Sequence, residues 1–270
     1  MTDHRRIQRT LFRMQMDPDF AAAVFAGEET AGLEAEDLAL LFAADPAGVA
    51  ADRGDRRKGQ LLGNVGSEFL LSLTAGGGIP GLLEGFLSSD EFHGAIERDG
   101  ELPSAFGAYL FRRATEHGDR LFAAVLGLEI AMAHARRRER PVDPPGDGEV
   151  VLAGRAHLHE AQAGTHACAL ALREHVGKSA PVDTRPEIEP PSEDATEVLL
   201  ILAAERASPH RRAEVEVELL APPVAKLLKR ARLPLDRAAR ARVARDVDAS
   251  LAELGGFVES LVADGVLLAG

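Results

Sequence analysis

The sequence is short of several things at once. Its 270 residues include one cysteine, one tyrosine and no tryptophan, and aromatics make up 4%. A lone Cys168 cannot close an intramolecular disulfide, so nothing here points to an oxidising compartment. Few aromatics alongside 46% apolar residues, mostly Leu, Ala and Val, disfavour a β-sandwich and favour packed helices. No apolar run approaches the roughly 20 residues of a membrane helix. The stretch from Thr2 to Arg6 leads into an amphipathic pattern, not the apolar core of a secretory signal, so a cytoplasmic protein with no membrane partner is expected. Basic charge is also scarce. Against 43 Asp and Glu stand 31 Lys and Arg, and a net charge of -12 argues against a protein built to coat nucleic acid.

What is present is helical periodicity. Ile7, Leu11 and Met14 recur at four and three, and Asp17-Pro18 reads as an N-cap followed by proline at the first helical position. Asp45-Pro46 repeats the device after Leu38–Phe42. Leu61, Leu62, Val65, Phe69 and Leu73 lie on one stripe, which Gly76-Gly77-Gly78 breaks before Ile79-Pro80 opens the next short helix. Ser88 and Glu91 fit a capping box for a helix over 90–97. Leu102-Pro103 opens another, and Leu121, Val125, Leu128 and Met132 mark the face of a last one over 119–138. These segments predict a helical bundle over residues 1–140.

Residues 141–195 read as linkers around a short strand and helix over 150–176, which either stand apart or add an extra strand to the C-terminal domain. Pro141, Pro144 and Pro145 form one linker, and an acidic, proline-rich stretch over 181–194 with nothing to bury forms the other. From Thr196 the period changes. Val198, Leu200 and Leu202 alternate, as do Val215, Val217 and Leu219, predicting a two-stranded hairpin around the polar loop 206–212. Three helices follow. Val247, Leu251, Leu254, Val258 and Leu261 form the last face; Gly255-Gly256 within it marks a break or a close helix approach. Gly265 then caps, and a short apolar strand ends the sequence. The expected fold class is mainly α (α+β overall), with the helical bundle followed by a winged-helix-like hairpin and three-helix domain over 196–270.

Charge divides along the same line. From Glu197 onward 11 basic residues balance 11 acidic ones, so the whole acidic excess lies earlier. Between Lys226 and Arg245 eight basic residues meet one Asp.

No constellation of residues amounts to an active site. There is no Gly-x-Ser-x-Gly elbow, and the glycine run lacks the Lys-Ser/Thr of a phosphate loop, so it reads as a turn. His157, His159, His166, Cys168 and His175 lack the tight repeated spacing of zinc ligands, so no metal site is expected and Cys168 reads as a small core residue. The mixed run Asp52–Lys58 is a solvated helix start or a contact patch for a partner through Arg53, Arg56 and Arg57.

The C-terminal segment admits two uses. As a winged helix it would lay its basic band on DNA phosphates. As a peptide clamp it would offer the strand of Val215, Val217 and Leu219 to an extended peptide. Phe257 and Leu261 would supply pockets, and Lys226, Lys229 and Arg230 would attract acidic residues. Outward Glu214, Glu216 and Glu218 blunt that edge.

Two stretches carry resemblances. Pro223-Val224-Ala225-Lys226-Leu227-Leu228, with Phe257-Val258-Glu259-Ser260-Leu261 running on to Gly265-Val266-Leu267, resembles the PqqD-like leader-peptide recognition element of ribosomal-peptide biosynthesis. Arg53, Arg57 and Gln60-Leu61-Leu62, then Leu82, Phe86, Phe92, Leu102, Phe106-Gly107, Tyr109-Leu110 and Leu128-Glu129-x-Ala131, look like the adaptor domain of multinuclear non-heme iron oxidases. Together they imply a non-catalytic accessory subunit that brings a precursor leader peptide to such an oxidase. The iron of that family belongs to the oxidase, so the resemblance implies no cofactor in this chain.

Overall fold

The computed structural model describes residues 4–43, 53–77, 81–137, 140–177, 185–204 and 213–270, with the backbone alone over 53–57. It is mainly helical with small antiparallel sheets. It divides into two compact units, Met1–Leu126 with Ala180–Arg185, and Gly127–Ser179 with Pro186–Gly270.

In the first unit, α1 (His4–Met16) and α2 (Pro18–Ala26) meet α3 (Ala35–Phe42) through Ile7, Met14, Phe20, Val24, Leu33 and Leu41, all buried. Asp17 caps α2 as expected, accepting the amides of Asp19 and Phe20 at 3.1 Å each. Its carboxylate also lies 3.1 Å from Nε2 of His93. That nitrogen is 3.2 Å from the Leu87 carbonyl, so one buried ring links the α2 cap to a later turn. Burial, and then the nearby Arg13 cation, push the His93 pKa down.

The stripe from Leu61 to Leu73 is not one helix. It splits into α4 (Arg53–Gly66) and α5 (Leu70–Ala75), with buried Phe69 in the break. Gly66 is a poor helix former, and the Ser67 hydroxyl donates 2.9 Å to the Asn64 carbonyl, which satisfies a group the helix leaves open. A 3-10 turn (Glu84–Phe86) follows, then α6 (Asp90–Glu97), α7 (Leu102–His117) and α8 (Arg120–Arg137). Pro103 stands in the first turn of α7. The Leu121, Val125, Leu128 and Met132 face of α8 is buried throughout. The scarce aromatics gather here. Phe86 meets Phe106 at 4.9 Å, Phe92 at 5.2 Å and Tyr109 at 5.7 Å between ring centroids, mostly edge to face. Asp45-Pro46 and Ile79-Pro80 lie outside the described residues.

The second unit contains β1 (Val150–Leu152), β2 (Ala156–Gln162), α9 (Thr165–Gly177), β3 (Thr196–Ala203), β4 (Val215–Leu219), α10 (Pro222–Arg230), α11 (Arg237–Asp246), α12 (Leu251–Ala263) and β5 (Leu267–Ala269). Val198 to Leu219 form the antiparallel pair the alternation predicts, but the sheet has three strands in the order β2-β3-β4. β2 comes from the 150–176 segment, whose strand thus joins the C-terminal sheet, and β1 pairs with β5. The second unit therefore begins well before Thr196. The reason is physical: Leu199, Leu200 and Ile201 are buried on both faces of β3, and a strand so enclosed needs its amides and carbonyls paired along both edges. The 181–194 stretch also buries something. Pro191 is buried, and the Cys168 thiol donates 3.3 Å to the Glu189 carbonyl. The loop 206–212 lies outside the described residues.

Leu200, Leu227, Leu228, Leu254 and Val258 form the core beneath α10, α11 and α12. Asp236 caps α11, and Ser250 with Glu253 forms a reciprocal capping box for α12. The helix runs unbroken through Gly255-Gly256, and a Cβ at either would meet nothing within 4 Å, so the pair is neither a break nor a close approach. Val247 ends α11 and Leu251 is exposed, so neither joins the α12 face. Gly265, at φ 68, closes α12 as expected. Its amide donates to Val262 and the Val266 amide to Leu261, the two bonds of a left-handed helix stop.

The cap of α6 falls one residue later than the spacing indicates. Ser89, not Ser88, accepts the Phe92 amide at 3.2 Å and donates to the Phe86 carbonyl at 2.7 Å. Ser89→Ala should therefore cost about 1 kcal/mol in urea unfolding and Ser88→Ala under about 0.5 kcal/mol. Equal losses would place the cap wrongly.

Candidate functional site

The second unit has a groove of about 590 Å3 where the start of β3, the end of β4 and the first turns of α10 meet. Its floor is apolar, from Val198, Leu219, Leu220 and Ala225. Two lysines a turn apart on α10, Lys226 and Lys229, stand on its wall. α10 starts there because Pro222 and Pro223 take its first two positions, where no intrahelical amide is needed. They also remove two amides that a helix N-terminus would otherwise offer an anion. Positive charge in the groove thus comes from side chains.

Glu197 lines the same groove, but its carboxylate is engaged elsewhere. It accepts the amides of Gly164 at 2.9 Å and His166 at 2.7 Å, capping α9 from the neighbouring strand. Lys229 Nζ lies 2.9 Å from Glu160, and holds that exposed carboxyl below its usual range. Lys226 Nζ donates to the Asp246 carbonyl at 2.9 Å. Both lysines remain partly exposed, and exposed pairs of this kind are weak and exchange readily.

Of the residues singled out from sequence, Leu219, Lys226 and Lys229 come together here. The rest do not. Val215 and Val217 share β4 with Leu219 but pair opposite Ala203 and Ile201, away from the groove. Arg230 points to Asp246, at 3.6 Å. Phe257 is 54% exposed and outside the groove, and Leu261 packs partly buried against the core, so neither forms a pocket wall. Their spacing marks a helix face, and a face does not distinguish core from surface. Arg53, Arg56 and Arg57 fall on α4, with side chains outside the described residues. Sequence reasoning missed Val198, Leu220 and Ala225. The signal available for Ala225 was its small size beside two prolines at a strand-to-helix junction.

The histidine-rich stretch does not converge. Among the described residues no three His, Cys, Asp or Glu side chains form a metal-holding group. His157 and His159 stand opposite Ile201 and Leu199 on β3. Burial drives the His159 pKa down, partly offset by Glu160, and burial with Glu197 raises the Cys168 thiol. On α11, Arg240 has a local role, donating 2.8 Å to the Gly148 carbonyl.

No family model matches the chain, and no curated protein matches it either.

A histidine held neutral by burial contributes stability above its ordinary pKa of about 6.5, and that contribution is lost as pH falls towards its lowered folded value. The unfolded chain binds the extra proton, so acidification favours it. The urea midpoint should drop between pH 7.5 and pH 5.5, and drop less in His159→Gln. An equal drop in both proteins would show that His159 is not depressed.

Proposed function

We propose that the chain is a non-catalytic accessory subunit. Its second unit holds the leader segment of a ribosomally made precursor peptide, and the whole presents that peptide to a multinuclear non-heme iron oxidase. The observation that carries the peptide half is the groove: an apolar floor of Val198, Leu219, Leu220 and Ala225 beside Lys226 and Lys229, with Glu197 occupied in capping α9. Such a surface suits an extended segment in which aliphatic side chains alternate with Asp or Glu. Apolar groups would leave water on the floor, while carboxylates would displace the weak Lys229–Glu160 and Lys226–Asp246 pairs. The exposed Glu216 and Glu218 of β4 disfavour acidic residues along that strand and set them towards the lysines. The oxidase half rests on the resemblance of the helical segment.

A DNA-binding regulatory protein is the competing reading. Asp246 lies within 4.0 Å of Lys226 and Arg230, and Arg240 is tied to a carbonyl, so this band offers phosphates a weakened field. These contacts favour the peptide.

Panning the full chain against a random displayed-peptide library tests the choice. Enriched peptides should pair acidic with aliphatic residues, and should bind the Lys226→Glu/Lys229→Glu double variant at least tenfold more weakly, about 1.4 kcal/mol. Equal binding to the variant, or duplex binding with a steep salt slope and no peptide selection, would overturn the peptide reading. This reading expects a gene for a multinuclear non-heme iron oxidase beside that of the chain, and co-expression of the two should give a complex that survives gel filtration; separate elution would remove the oxidase half.

A further inference from the structure

Helix α1 is chemically unlike the protein around it. In a chain of net charge -12, His4–Met16 carries four arginines and no carboxylate. Arg6, Arg9 and Arg13 recur at three and four, so they share one face. That face lines a cavity of about 240 Å3 in the first unit, together with Thr10, Phe20 and His93. The space is equivalent to about eight waters, enough for a compact polar group but small for a drug-sized molecule.

The guanidiniums are held in place, and those of Arg9 and Arg13 keep a donor unmet among the described residues. Arg6 donates 2.6 Å to the Gly32 carbonyl. Arg9 pairs with Asp99, which Arg5 also approaches at 3.8 Å. Arg13 stands over the Phe20 ring at 3.6 Å from its centroid, and meets Glu97 only at 3.8 Å. The Nε atoms of both Arg9 and Arg13 are buried without a hydrogen-bond partner among the described residues. A buried N–H of a charged group without an acceptor is costly.

We propose that this cavity binds a small oxyanion, the phosphoryl or carboxylate group of a small molecule, on Arg6, Arg9 and Arg13. Planar guanidinium forks match the paired oxygens of both groups, and lysines would not hold them in that geometry. The oxyanion supplies acceptors in the cavity that Arg9 and Arg13 line. The buried Thr10 hydroxyl, also on that lining, offers a further donor. This site is in the other unit from the peptide groove and stands or falls independently of it.

Calorimetric titration of the full chain with inorganic phosphate and with citrate, at fixed ionic strength and against chloride, tests the proposal. One saturable equivalent is expected, and the stronger of the two identifies the phosphoryl or the carboxylate source. Arg9→Gln and Arg13→Gln should each weaken binding at least tenfold, and Arg237→Gln, in the second unit, should leave it unchanged. In the wild-type protein the Nε–Hε resonances of Arg9 and Arg13 should shift on titration, a readout that does not depend on the variants folding. Absence of saturable binding by either anion at tens of millimolar would overturn the site. So would equal binding by all three variants, or resonance shifts that spare Arg9 and Arg13.

Discussion

The second unit depends on the enclosure of β3. Its side chains alternate between two buried faces, so Leu200 enters the core beneath the C-terminal helices while Leu199 and Ile201 are buried on the other side. Its backbone is hydrogen-bonded to β2 along one edge and to β4 along the other. An apolar strand in this position has no water to satisfy its amides, which makes both neighbours obligatory. That requirement brings β2 across the acidic stretch before Thr196. The first residues of β3 do further work: Glu197 caps α9, and Val198 forms groove floor. One strand thus sets the core, the helix start and the candidate site.

The first unit is held differently. Its apolar mass is divided between an aliphatic cluster around α1 to α3 and a ring cluster centred on Phe86. Between them sits a polar node. Asp17 caps α2 and meets His93, Arg13 stands on Phe20, and Phe20 belongs to the aliphatic core. Such a node is stable only when its hydrogen bonds are nearly complete. The arginine-lined cavity beside it, with two guanidinium Nε atoms lacking acceptors among the described residues, is the place where completion stops.

Both candidate sites rely on positive charge gathered on a helix within an acidic chain. In the groove the lysines lie in loose pairs at the surface, which suits a ligand that exchanges. In the cavity the arginines are anchored by stacking, a carbonyl and rim carboxylates, which suits a rigid group of defined shape. Lysine and arginine are used here for different kinds of recognition.

The sequence by itself determined the helical character of the described residues up to Arg137, the Asp17 cap, the pairing of β3 with β4, the three C-terminal helices and the stop at Gly265. Each follows from local periodicity or from a residue acting on its own neighbours. Among the candidate residues, Leu219, Lys226 and Lys229 were legible because strand alternation and helix spacing place them at adjoining element ends. Only the tertiary structure decided that β2 and β1 join the C-terminal unit, that Phe257 faces out and Leu261 in, that Glu197 is occupied, and that Arg6, Arg9 and Arg13 enclose a cavity with His93. Those outcomes depend on partners tens of residues away in the chain. A periodic pattern says which residues share a face, and only packing says what that face meets.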